Sequence, residues 1–592
     1  MRVSGLWLLL GVAALPACSA DSSMASGGFT PRGSSDGSGG QLGLGANAGG
    51  ASSNPITTPP PEKEEPQSYR APVVSGRWVW TANPDTGKIA IVDAKTFSVR
   101  LADAGIGPTF LSALPSDAKT AKALVINVGS KDATLLRASE TGAVKALGPI
   151  PLQANANAWT VSKTGKFALA WTDSSGLAAD PTENFQDLSV IDLRGSEPKA
   201  TRLVVGLVPS RVFIDDAEKQ AYVVAKSGIS VIDLAAKAGP RVLREEAVSD
   251  DPLHEDVSSR DVSVMPDGSY AFVRHEGSAV ITLLELATGK LSSLKLSGPV
   301  TDLDLVSNAQ SALAVVRGDA LPPKNDDGMA GAAGDHGEDP EIAGAGGEGG
   351  DASASGGTSS GGTSSGGTSS SAPRSTLAIL PIPGIFSDKA TFASVSIDEQ
   401  FGLVNIAPEG TEALLYTNAL ASSHLTILET APGASFLEHR TVDVRGNVQN
   451  VYPSPDGAYA IASFTSPRDA GGKSGFAAIP VTSTTPVRVQ TTTAPVFAVA
   501  QSAGKTPRAV VTVSDGNSTF SAYVVRMPEL VIDSVKLPSR PLPGATGLVP
   551  DAGVAYIAQA HPQGRITFIN LETGVPRTIT GFEIAAKVVN GQ

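Results

Sequence analysis

Residues 77–93 read Arg-Trp-Val-Trp-Thr-Ala-Asn-Pro-Asp-Thr-Gly-Lys-Ile-Ala-Ile-Val-Asp. Two runs rich in aromatic and β-branched residues flank Asn-Pro-Asp-Thr-Gly, a set of turn-forming residues. Side chains two apart on a strand share a face. Trp78 and Trp80 therefore share one face of the first run, and Ile89, Ile91 and Asp93 share one face of the second. The stretch predicts strand, tight turn, strand. The second run then recurs along the chain as LSVIDL (188–193), ISVIDL (229–234), VITLLEL (280–286), LTILE (425–429) and ITFINLETG (566–574). Weaker copies are ATLLRA (133–138), TLAILPI (376–382), FAAIPV (476–481) and AYVVRM (522–527).

Aligning the polar ends of these runs gives Asp93, Arg137, Asp192, Asp233, Glu285, Pro381, Glu429, Pro480, Arg526 and Asn570. Successive steps are 41 to 55 residues, except one of 96 that contains a 56-residue low-complexity stretch. Without that stretch the long step is 40 residues, so the chain holds ten units of similar length. Each unit also carries an earlier strand pair around a tight turn, as at Pro266-Asp267-Gly268 and Pro455-Asp456-Gly457. Proline presets the first turn position, and Asp and Gly suit those that follow. Helical periodicity is nearly absent.

Four-stranded antiparallel units of this length are what radial repetition stacks into a ring. The pattern resembles the YVTN-type, WD40-like β-propellers, including the quinoprotein amine dehydrogenase β-subunit. The expected fold class is therefore an all-β, β-propeller ring of four-stranded antiparallel blades. Ten units are counted and seven to ten blades expected, because known propellers typically have four to eight. One large ring is preferred over two rings or over false weak units. The chain is expected to enter its first unit at residue 77 on a middle strand. Residues 581–589 (GFEIAAKVV) are then the candidate to supply the missing first strand. The resemblance implies no single activity, since one fold hosts many functions.

The N-terminus is of another kind. Arg2 precedes an apolar run, Leu6 to Leu15, of about ten residues, too short to span a bilayer core of roughly 30 Å as a helix. Residues 1–17 are expected to be an export signal. Leu15-Pro16-Ala17-Cys18 resembles the lipobox of bacterial lipoproteins, with Pro16 departing from the commoner small residue. That resemblance implies acylation of Cys18, the only cysteine among 592 residues. Several acyl chains at about 0.8 kcal/mol per buried CH₂ make a durable membrane anchor. Ser19 favours the outer membrane over inner-membrane retention, so a cell-envelope location is expected. Residues 18–72 read as a Ser/Gly/Pro-rich tether with a reach of about 40 Å. Residues 319–374 read as a disordered acidic loop interrupting the propeller of 73–592. Its nine acidic and two basic side chains carry −7 of the chain's net −13.

Composition excludes several classes. One cysteine rules out disulfide scaffolds, zinc-thiolate sites, iron–sulfur clusters and c-type haem. A net charge of −13 argues against nucleic acid as a partner. No two of His254, His275, His336, His424, His439 and His561 sit at metal-ligand spacing. Both Gly-x-Ser-x-Gly matches, 33–37 and 357–361, lie in low-complexity sequence without the strand-to-helix turn of a nucleophile elbow. Arg260, Asp261, Asp302, Asp304, Gln449 and Asn450 fall near the start of inner strands, where propeller hydrolases hold a metal. Val496, Leu403 and Leu548 take the matching places in other units. The preferred reading is that the polar residues satisfy backbone groups. Trp78, Trp80, Trp159 and Trp171 read as core. No catalytic, metal-binding or cofactor-binding residue is assigned, and no cofactor is expected. The expected function is a non-catalytic, lipid-anchored binding scaffold for an unknown protein or small-molecule ligand. A propeller enzyme of the lactonase or dehydrogenase-subunit type, acting at the channel, is the alternative.

Overall fold

The protein is described here by a computed structural model covering residues 72–581. Excepted are 117–119, 175–184, 252–253, 307–308, 318–374, 388–389, 398, 432–438, 466–471, 517–518, 538–542 and 560–563. The described residues form forty strands in ten four-stranded antiparallel sheets, each built from consecutive strands. We number these blades 1 to 10: 73–103, 108–151, 158–204, 209–246, 260–295, 300–396, 403–443, 447–492, 496–535 and 543–580.

The aligned polar residues fall on the third strand of every blade. In nine blades they are its last residue; in blade 2 the strand runs on from Arg137 to Ser139. The local chemistry explains why these positions are polar. Asp93 Oδ1 accepts the Lys95 N–H at 2.9 Å, Asp192 Oδ1 that of Arg194 at 3.0 Å, and Asn570 Oδ1 that of Thr573 at 2.8 Å. A side chain that bonds the backbone two or three residues on stops the strand and starts the turn. The Pro-Asp-Gly turns lie between first and second strands, with Gly268 and Gly457 both at φ 70°. Second and third strands are buried on both faces, hence their unbroken apolar runs, whereas fourth strands such as Arg241–Glu246 alternate.

The blades form one ring. A separate apolar core lies between each successive pair. Trp78, Trp80, Ile89 and Ile91 of blade 1, for example, pack on Leu111, Val125 and Leu136 of blade 2. The tenth core joins Val79, Ala90 and Val92 of blade 1 to Val549, Tyr556 and Phe568 of blade 10. Sheet faces are thus covered all the way round, and the ring has ten blades.

Closure differs from the sequence expectation. Blade 1 has its own first strand, Val73–Ser75, with Val74 opposite Val79. Residues 581–589 are therefore not needed to supply it; all but Gly581 of that segment lie outside the described residues. Only three residues long and abutting the biased tether, this strand carries no periodicity to detect. Side chains make the join instead. Tyr556 donates its hydroxyl to the Pro72 carbonyl at 2.9 Å, and the Phe97 ring lies 5.3 Å from that of Phe568. The 318–374 stretch falls between the second and third strands of blade 6, where the repeat pattern puts it. Residues 1–71, with Cys18, lie outside the described residues.

Candidate functional site at the inner rim

The first strand of each blade faces the ring centre, with one backbone edge unpaired by its own sheet. An unpaired buried N–H or C=O is costly, and side chains from neighbouring blades meet many of these groups. Ser75 Oγ donates to the Leu114 carbonyl at 3.1 Å, Thr160 Oγ1 to Val212 at 3.2 Å and Asn405 Nδ2 to Val451 at 2.9 Å. Gln501 Nε2 reaches back to Tyr452 at 2.7 Å. These four polar residues on inner strands are therefore blade-to-blade clasps.

At blades 4 to 7 the clasp is ionic. Asp261 lies between Arg211 Nη1 of blade 4 and Arg274 Nη2 of its own blade, each at 3.4 Å. Arg274, with its side chain 5% exposed, also donates to the Val300 carbonyl of blade 6 at 3.4 Å. Asp302, fully buried, accepts the Leu303 N–H at 2.9 Å and the Val404 N–H of blade 7 at 2.8 Å. Asp304 is 4% exposed, and its Oδ1 has no hydrogen-bond partner. Burial pushes Asp302 up to about 7, against the pull of the Arg274 charge and the two N–H donors. Burial, then the charges of Asp302 and Asp261, push Asp304 well above the usual carboxylate range. Burial also raises Asp261, opposed by Arg211 and Arg274.

The other sequence candidates are dispersed. Arg260 and Glu255 form a buried pair at 3.1 Å, with His275 Nε2 3.0 Å from the same carboxylate; this ties the 247–259 connection to blade 5. Asn450 Oδ1 accepts the Val451 N–H at 2.8 Å, and Gln449 is exposed at a bulge. Strand pairing matches Leu403, Ala498 and Ala545 with Asp302, so Val496 and Leu548 are not its equivalents. The six-residue repeat does not register the bulges that shift these strands. Among the described residues no three His, Cys, Asp or Glu side chains converge as a metal site. His254 pairs with Asp251 at 2.9 Å and His424 with Glu399 at 3.4 Å; His336 and His561 lie outside the described residues. Trp78, Trp80 and Trp171 are buried between blades, and Trp159 is partly buried against the cores on either side of blade 3. Sequence reasoning missed Arg211 and Arg274. The available signal was an arginine inside the apolar strand Tyr270–His275.

The two faces of the ring differ. On one, first-to-second strand turns interlock. The Asp216 N–H reaches the Pro266 carbonyl at 2.7 Å, the Tyr222 hydroxyl Gly268 at 3.1 Å, the Glu409 N–H Pro455 at 3.1 Å and the Gly504 N–H Asp456 at 3.1 Å. The opposite face carries the blade-to-blade and second-to-third strand connections, which vary most in length. It also exposes Ile106, Val128, Val204 and Phe497 at 72, 44, 66 and 45%.

No protein-family model and no curated protein matches the chain. Solved structures with a related chain path include a eukaryotic initiation factor, at 12% identity and a TM-score of 0.45, covering 80% of this chain and 100% of that one. Another is the β-propeller domain of Cps50 (Swd1) from Myceliophteria thermophila, at 11% identity and 0.31, covering 60% and 96%. Apo AztD from Citrobacter koseri gives 11% and 0.33, covering 68% and 94%. The ten-blade ring rests on the strand pairing and the ten cores above.

Proposed function

We propose that the protein is a non-catalytic binding scaffold of the YVTN-repeat kind, held at the cell envelope by lipid on Cys18. The variable-loop face is read as the binding face. The observation that carries this reading is the asymmetry of the ring: on one face the first-to-second strand turns are short and several of them interlock. The other carries the connections that vary most in length, the arrangement rigid scaffolds use to present binding loops. The N-terminal sequence supports the anchor, with a short apolar run followed at once by the chain's only thiol.

The test is Cys18→Ala in the full-length chain, expressed in a Gram-negative host with a labelled fatty acid. Loss of label and a shift from the membrane to the soluble fraction are expected. Label and membrane recovery unchanged from wild type would sink the anchor. A stoichiometric divalent ion in the purified ring, lost on Asp302→Ala, would overturn the non-catalytic part and favour the channel enzyme.

A further inference from the structure

We propose that the inner rim at blades 5 to 7 is a proton-operated clasp, in which a proton held on the blade 6 carboxylates sets how firmly the inner strand of blade 7 is tied to the ring. The argument begins with a charge inventory. Asp302 is approached by Asp261 and Arg274 from blade 5 and by Asp304 from its own strand, and Arg211 of blade 4 reaches the cluster through Asp261. Across the seam the inner strand of blade 7, Leu403–Ile406, presents no charged side chain, only the Val404 N–H. Among the described residues two guanidinium groups thus face three carboxyls. With all three ionised, one negative charge would sit uncompensated in a region where burial is close to complete.

Geometry says where the compensating proton resides. Asp302 accepts two backbone N–H bonds, which favour its ionised form. Asp304 Oδ1 accepts none, and the charges acting on Asp304 are two other carboxylates. No set of three ligating side chains offers a metal a place there among the described residues. Asp304 therefore holds its proton longest, and the pair titrates as a unit.

The sign of the pH dependence follows. Carboxyls whose folded pKa is raised contribute stability that is complete below their unfolded value near 4 and is lost as pH rises through the folded value. The loss begins in mild acid and continues through about 7 with Asp302, and the raised Asp304 adds to it in the same sense. As these protons leave, mutual repulsion strains the seam between blades 6 and 7.

The experiment compares wild type with Asp304→Asn, which mimics the protonated acid. Wild type should show the infrared carbonyl band of a protonated carboxyl at neutral pH, and Asp304→Asn should weaken it, the remainder belonging to Asp302. Between pH 7 and 9 the wild-type Tm should fall, and the variant should lose at least half of that dependence. Hydrogen exchange at 403–406, corrected for intrinsic rate, should rise with pH in wild type only. A band undiminished by the substitution, or identical Tm profiles, would overturn the proposal. If Asp304→Asn fails to fold, absence of the band in the wild type is sufficient to reject it.

Discussion

Arg274 shows how one side chain can carry a seam. It sits on a largely apolar strand, shares Asp261 with Arg211 and is the cation whose charge acts on Asp302. Its removal would leave two buried carboxylates facing each other with Arg211 alone, itself 32% exposed. Breaking a buried pair by deleting one partner typically costs about 3–5 kcal/mol. Arg274→Ala should therefore destabilise the ring by roughly that amount, read as a lower urea midpoint with an unchanged slope. Arg202→Ala, which removes an exposed side chain's bond to a single carbonyl, Leu152, should change little. Asp261, Asp302 and Asp304 were legible in the sequence because the repeat places them on inner strands. Their partners were not, because a β-strand's period of two says which face a side chain takes, not which neighbour it meets.

At the scale of the element, the third strands were the most legible part of the chain. Their apolar runs are long, and their polar ends serve one purpose, the turn to the fourth strand. The first strand of blade 1 was the least legible, and its recovery changes what the C-terminus has to do. With Val73–Ser75 already paired to Trp78–Trp80, no terminal segment is required to complete a sheet. Deleting residues 582–592 should therefore leave the melting temperature within about 2 °C of the full-length ring, well under what a loss of 1 kcal/mol shifts in a small domain. A drop of many degrees on a circular-dichroism melt would show that the terminal segment closes the ring after all.

For the whole molecule, the repeat arithmetic fixed the unit count, while the number of rings became legible only from packing. Ten units fit one ring or two, and periodicity cannot say which sheet faces touch. The acidic insertion offers a test of how independent the ring is of its loops. Val316 and Thr376 lie directly opposite each other in blade 6, so the strands there are already at hairpin distance. Replacing 318–374 with Asn-Gly should keep the ring intact, since that dipeptide suits a tight hairpin. Ser375 must stay, because it is buried and bonds the Phe401 carbonyl at 2.7 Å. The excised segment carries −7, so the variant should elute earlier from an anion exchanger while its far-ultraviolet spectrum and melt stay near wild type.

The way the ends meet also sets an order of events. Every blade is contiguous in the chain, so each can pair its four strands from local sequence as soon as it is available. Among the described residues only one contact asks the chain to span its full length: blade 10 docking on blade 1, where Tyr556 finds Pro72 across 484 positions. Bringing distant segments together carries an entropic cost that grows only slowly with separation. Most of the ring can thus assemble as a growing arc with one open sheet face at the leading end. A single late docking event, which exchanges no strand, then shuts the arc, and its reversal would reopen the ring while leaving every blade whole.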